Sequence, residues 1–206
     1  MRALLFEVLP RPDHEGHYFD RAAELKPILE RHAGLLFLDR YRSQSRPGLI
    51  LSHSLWQDEE ALVAWRRDPA HKQAQSAGRT EHFADYRIRI SAVRHHVGSD
   101  STPADPWPDM LDADPLDEGE SRLVIVSTRG APYKGEGEVF ASINNADSYL
   151  TVLDVATETQ GKQAVSEATA FEYVTDVKYC LVYRDYGMFE RAQAPREFLS
   201  QTAESR

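Results

Sequence analysis

The chain has 206 residues, 41% hydrophobic and 28% charged, ordinary usage for a folded domain, which excludes a fibre and a wholly disordered chain. Its apolar runs, such as Ala3 to Phe6 and Leu35 to Leu38, fall far short of the roughly 20 residues needed to span a membrane, and Met1-Arg2 leads into a strand-like run in which no secretory leader is expected. A single cysteine, Cys180, excludes an internal disulfide and a Cys-rich zinc module, so the cytoplasm is the expected compartment.

The net charge of −9 is unevenly spread. Residues 1–98 hold 15 Lys and Arg against 13 Asp and Glu, a net of +2, and residues 99–206 hold 9 against 20, a net of −11. All eight histidines lie between His14 and His96. Eight acids and no base occupy 100–120, which predicts an acidic linker over 99–120. No concentrated basic face suggests nucleic acid.

In chain order, Leu4, Phe6 and Val8 alternate with Leu5, Glu7 and Leu9 as a strand that Pro10 and Pro12 close. Tyr18, Ala22, Leu25 and Leu29 recur at helical steps between Asp13 and His32, with a kink or weak second half expected at Pro27 and Gly34 as the stop. Leu35 to Arg42 and Gly48 to Trp56 read as two strands. Asp58 caps a helix that buries Ala61, Leu62 and Trp65. Asp68-Pro69 then starts a second short helix through His71 to Gly78. Tyr86, Ile88 and Ile90 alternate with Arg87, Arg89 and Ser91 in a closing strand. The βαββαβ order is that of a ferredoxin-like unit, two helices over an antiparallel sheet whose other face needs a cover.

Beyond 120, Leu123 to Thr128 and Ser148 to Ala156 read as strands, Glu158 to Ala168 as a helix, and Phe171 to Phe189 as a long strand. These elements repeat the front order, but only Gly130 to Asp147, with three glycines and Pro132, stands where the front unit holds a helix and a further strand, so the back unit reads as a copy that has lost its first helix. The expected organisation is therefore 1–98, a linker over 99–120, and a degenerate second unit over 121–206, the two units able to cover each other's sheets.

The run Leu49-Ile50-Leu51-Ser52-His53-Ser54-Leu55-Trp56, then Asp58 to Arg66, Pro69-Ala70-His71-Lys72-Gln73-Ala74-Gln75, Gly78-Arg79 and Phe83 to Ile88 resembles the antibiotic biosynthesis monooxygenase (ABM) domain family. Ala23 to Glu30 and Gly34-Leu35-Leu36 extend the likeness, which covers about 90 residues of the chain and reaches the back half by element order alone. The resemblance implies an α+β fold, ferredoxin-like units paired as a dimeric α+β barrel, formed here as an internal pseudo-dimer or a homodimer, with a pocket between sheet and helices. It also implies a cofactor-independent monooxygenase that needs no metal or flavin, because an electron-rich aromatic or phenolic substrate is itself the reductant for oxygen. In the quinone-forming members a helix Trp and a polar ring residue about six positions later hold the substrate; Trp65 and His71 stand at that spacing.

A neutral His71 at a helix start, where the dipole disfavours imidazolium, can take a phenol's proton, and Trp65 offers a flat wall. Each has a plainer alternative: Trp65 as core, His71 as a surface or capping residue. Arg87 and Arg89 are candidates to neutralise a substrate oxyanion if they reach the pocket, or are solvated strand residues. His53, on the strand side of Leu49, Leu51 and Leu55, is expected in an apolar setting, lining the pocket or bonded within the core. The haem-degrading members use a first-strand Asn and a His about ten residues after the Trp; the strand from Arg2 to Leu9 has no Asn and Gln75 stands at the second position, so haem degradation is not expected. His14 and His17 have metal-ligand spacing without a third ligand in view, and no metal site is predicted. A non-catalytic small-ligand-binding or stress-response protein on the same fold, or an isomerase with His71 as base, are the alternative functions.

Overall fold

A computed structural model describes residues 1–98 and 121–195, so the predicted acidic linker over 99–120 lies outside the described residues. The front unit is β1 (Arg2–Pro10), α1 (Glu15–Leu29), β2 (Leu35–Ser43), β3 (Ile50–Trp56), α2 (Glu59–Arg67), α3 (Pro69–Ala77), a π-helical turn (Gly78–His82) and β4 (Phe83–Gly98). The back unit is β5 (Ser121–Arg129), β6 (Glu138–Ser142), β7 (Ser148–Val155), α4 (Glu158–Thr169) and β8 (Val174–Gly187).

The eight strands close a barrel in the order β1-β3-β2-β6-β7-β5-β8-β4. All neighbouring pairs are antiparallel. Each unit contributes four strands, and two seams join them. The β4–β8 seam is long, from Arg87↔Gly187 to Gly98↔Asp176. The β2–β6 seam spans only Tyr41 to Ser43. It is reinforced by the buried Asp39 carboxylate, which accepts from Ser142 Oγ at 2.7 Å and from the Asn144 and Asn145 side-chain amides at 2.8 and 3.0 Å. Exposed sheet faces are costly at about 25 cal/mol per Å² of apolar area. Here the inward faces, with Leu5, Leu51, Leu55, Leu123, Ile125, Phe140 and Leu150, bury one another as a single interior.

The stretch 130–147 holds no helix but carries a short strand, β6, whose Phe140 is fully buried in the barrel. One expectation is corrected. Gly34 is not the stop of α1, which ends at Leu29 with Pro27 inside its last turn. Gly34 instead takes φ +84° at the entry to β2, where its carbonyl accepts from Gln57 N and a Cβ would come within 2.6 Å of Ala61 Cβ; glycine alone adopts that conformation without strain at so close an approach.

The helices cover the outward faces. In the back unit, α4 packs Val165 and Ala168 on Val124, Val126, Val177 and Tyr179. Its Gly161 lies so close to the Tyr179 ring that a Cβ would meet it at 2.3 Å, and the apolar layer there is closed. In the front unit α1, α2 and α3 stand over the sheet less tightly, and a cavity remains beneath them. Among the described residues no helix is long and apolar enough to cross a membrane.

Candidate active site

The cavity of about 330 Å³ lies between the front sheet and its three helices, within the range of small-ligand sites. Period-2 alternation decides its floor. Leu4 and Phe6 of β1, Ser52, Ser54 and Trp56 of β3, and Ile88 and Ile90 of β4 point toward the helices and line it. Their sequence neighbours Leu5, Leu51 and Leu55 point into the barrel. Tyr18 and Leu25 of α1, Leu62 and Trp65 of α2, and His71 and Gln75 of α3 form the roof.

Two caps fix the roof. Asp58 accepts from Ala61 N at 2.8 Å and starts α2. Asp68 accepts from Ala70 N at 2.9 Å and His71 N at 3.2 Å and starts α3, with Pro69 in its first turn. The bend between the two helices lays the His71 ring flat on Trp65, centroids 4.1 Å apart and planes within 13°. His32 meets the same indole edge-on at 5.1 Å, and its Nε2 lies 3.4 Å from Asp68 Oδ2.

The His71 Nδ1 is 3.0 Å from the Trp65 carbonyl oxygen. A carbonyl can only accept, so Nδ1 carries the proton and Nε2 keeps a lone pair. Burial is the largest cause that pulls the imidazole pKa down to about 4, against the opposing pull of the Trp65 carbonyl and Asp68. His71 is therefore a neutral acceptor at pH 7, through desolvation first rather than through the helix dipole invoked from sequence. Trp65 is 8% exposed and is both core and cavity wall.

The remaining sequence candidates do not join this pair. His53 faces the barrel interior, its Nδ1 3.2 Å from the Leu4 carbonyl oxygen and its ring against Phe37. Burial and the charge of Lys178 bring its pKa down to about 4. Arg89 also points inward, 2.7 Å from Glu7 and 3.3 Å from Asp154. Arg87 pairs with Asp185 at 2.9 Å. Together with Arg46, which binds Glu7 at 2.6 Å and also Glu138, they form an ion-pair layer at one mouth of the barrel. Their alternation predicts a polar strand face; that face is the barrel interior, on the other side of the sheet from the cavity.

His14 and His17 acquire a neighbour that sequence spacing does not show. The π-helical turn brings His82 Nδ1 to 3.0 Å from His14 Nδ1 and stacks its ring on His17 at 4.9 Å. Among the described residues no group of three His, Cys, Asp or Glu is arranged to hold a metal ion. Sequence reasoning missed Tyr18, Arg40, Ser52 and Ser54 of the cavity. The signal for the serines was present, because Ser52, Ser54 and Trp56 alternate with the apolar interior positions of the same strand.

The family model described as "Antibiotic biosynthesis monooxygenase" matches residues 1–77. A jasmonate monooxygenase from Pyricularia oryzae is 30% identical over 214 residues, covering 95% of this chain and 97% of that protein. Among solved structures, an antibiotic biosynthesis monooxygenase covers 44% of this chain and 95% of its own, with a TM-score of 0.40 and 16% identity. A protein from Fusobacterium nucleatum covers 89% of this chain and 93% of its own, with a TM-score of 0.44 and 9% identity.

Proposed function

The chain belongs to the antibiotic biosynthesis monooxygenase family, and from that premise we propose that it oxidises a small electron-rich substrate in the front-unit cavity without a cofactor, using His71 as base and Trp65 as wall. The observation that carries this reading is the stacked pair itself: a neutral imidazole with Nε2 unprotonated, held at the cavity wall on an indole. A phenol or enolisable ketone against Trp65 loses a proton to Nε2 and becomes an electron-rich anion. That anion gives one electron to O2, and the resulting radicals couple at carbon as a peroxide. For a CH2 centre, loss of water from the peroxide leaves a carbonyl, so that R2CH2 + O2 gives R2C=O + H2O. The carbon supplies both electron pairs, and His71 returns its proton to the departing oxygen.

In this reading residues 1–98 carry the chemistry and 121–206 form a degenerate partner unit, the barrel being an internal pseudo-dimer that leaves the front cavity intact. His53, Arg87 and Arg89 serve the barrel rather than the substrate. The setting is cytoplasmic. A second substrate class is favoured by the full-length likeness to a jasmonate monooxygenase: an apolar cyclic ketone in place of a phenol, which the same base serves.

Oxygen uptake with anthrone and a hydroquinone tests the proposal. Wild-type protein consumes one O2 per anthrone converted to anthraquinone. His71→Ala lowers kcat about a hundredfold or more, and Trp65→Phe raises KM more than it lowers kcat. Tight binding of a phenol with no uptake overturns the catalytic reading in favour of a binding protein, and a stoichiometric haemin complex in an absorbance titration overturns the cofactor-free one.

A further inference from the structure

Among the described residues, the charged side chains that line the cavity are Arg21, Arg40, Arg66, Lys72, Arg79 and Arg191, all of them cations. Residues 1–98 hold 15 bases and 13 acids, yet among the described residues the cavity wall has six cations and no carboxylate, an imbalance that composition does not supply. Rim cations by themselves prove little, because solvent screens them. Arg21, for instance, donates to Glu24 at 2.7 Å.

Arg40 differs from the rim. It rises from the middle of β2 on the cavity side of the sheet, in register with Ser52. Among the described residues no carboxylate forms an ion pair with it, and its Nε is buried without a hydrogen-bond partner. The buried Tyr18 hydroxyl lies beside it: burial raises the phenol pKa, while the Arg40 charge and the neighbouring polar side chains of Arg40 and Ser52 pull it back. A guanidinium drawn partly out of water without a carboxylate is costly. Its planar fork matches the two oxygens of a carboxylate. Trp65 and His71 face the same cavity from the helix side with a flat, largely apolar surface.

We infer that the cavity selects an apolar acid, its carboxylate bound by Arg40 with Tyr18 and Ser52 beside it and its carbon skeleton lying toward Trp65 and His71. Arg40 is then the residue that sets specificity and fixes which carbon of the substrate meets the His71 imidazole. This assignment rests on the cavity being the substrate site, as proposed above, but it does not depend on oxidation taking place there.

The test is binding without turnover, measured by anaerobic calorimetry on the full chain. Two acid and ester pairs serve as probes: jasmonate with methyl jasmonate, and 1-naphthylacetate with its methyl ester. Wild-type protein binds each acid at least tenfold more tightly than its ester, the scale of one buried charge-assisted hydrogen bond. Arg40→Gln removes most of that preference and leaves ester affinity within about threefold. Arg40→Lys, which keeps the charge and loses the fork, retains part of the preference and covers the case in which the glutamine variant does not fold. Rim substitution Arg79→Gln leaves the preference in place. Equal binding of acid and ester, or a preference that survives Arg40→Gln, overturns the inference. A preserved acid preference with no oxygen uptake from any acid or phenol overturns the oxygenase reading alone.

Discussion

Replacing Arg89 by methionine separates the barrel from the cavity. The Arg89 and Glu7 side chains are 5% and 4% exposed and 2.7 Å apart, so removing the guanidinium strands a buried carboxylate. Breaking such a pair costs about 3–5 kcal/mol. Glu7 keeps Arg46 at 2.6 Å, and Arg46 is half exposed, which puts the expected loss near the lower bound, about 3 kcal/mol. In a chain of this size each kcal/mol moves the midpoint by roughly 2–4 °C, so calorimetry at pH 7 registers a fall of about 6–12 °C. The double variant Glu7→Leu/Arg89→Met recovers most of it, since replacing a whole buried pair by apolar residues is close to neutral. Phenol binding by the folded single variant stays within about threefold of wild type, because Arg89 projects to the opposite side of the sheet. An Arg89→Met protein with unchanged stability, or one that loses phenol binding at unchanged stability, refutes this placement.

Three further outcomes are expected. His53 and His71 both have pKa values drawn down to about 4, mainly by burial. Between pH 6.5 and 4 the unfolded chain protonates both while the folded chain does not, so stability is full above pH 6.5. It then falls toward pH 4 by up to about 1.4 kcal/mol per pH unit and group; urea unfolding across that window shows the slope, and His53→Phe flattens it. Asp68→Ala uncaps α3 and frees the amides of Ala70 and His71. It costs about 1 kcal/mol in a thermal melt and lowers kcat in the oxygen electrode as His71 loses its seat. Asp39→Ala leaves the Ser142 hydroxyl and the Asn144 and Asn145 amides without their acceptor. A loss of about 2–3 kcal/mol is expected, with hydrogen exchange of the β6 amides rising before that of β4 and β8.

Local pattern made most of the front unit legible. The helix break at Asp68-Pro69 was readable because capping chemistry is local, and it is what brings Trp65 and His71 together. β6 escaped because five residues between a glycine-rich stretch and the turn at Asn144-Asn145 carry too little alternation, and its partner strand β2 lies about a hundred residues away in sequence. Alternation also placed Arg87, Arg89 and His53 on the face opposite Ile88 and Ser52. It cannot say whether a polar face meets water, a cavity or the inside of a barrel, and the ion partners Glu7, Asp154 and Asp185 come from three other strands. Arg40 was illegible for the same reason. Its meaning depends on Tyr18 from a helix and Ser52 from the next strand, and no spacing in the chain records that meeting.

A crystal structure of the protein with an unreactive substrate analogue, such as a methylated anthrone or a cyclic ketone acid grown without oxygen, locates the reacting carbon relative to His71 and Trp65. Density is expected in the front cavity, its ring against Trp65 and its acidic carbon within about 3.5 Å of His71 Nε2. Density at the barrel mouth beside Arg87 and Arg89, or against Tyr173 or Tyr179 of the back unit, contradicts this placement.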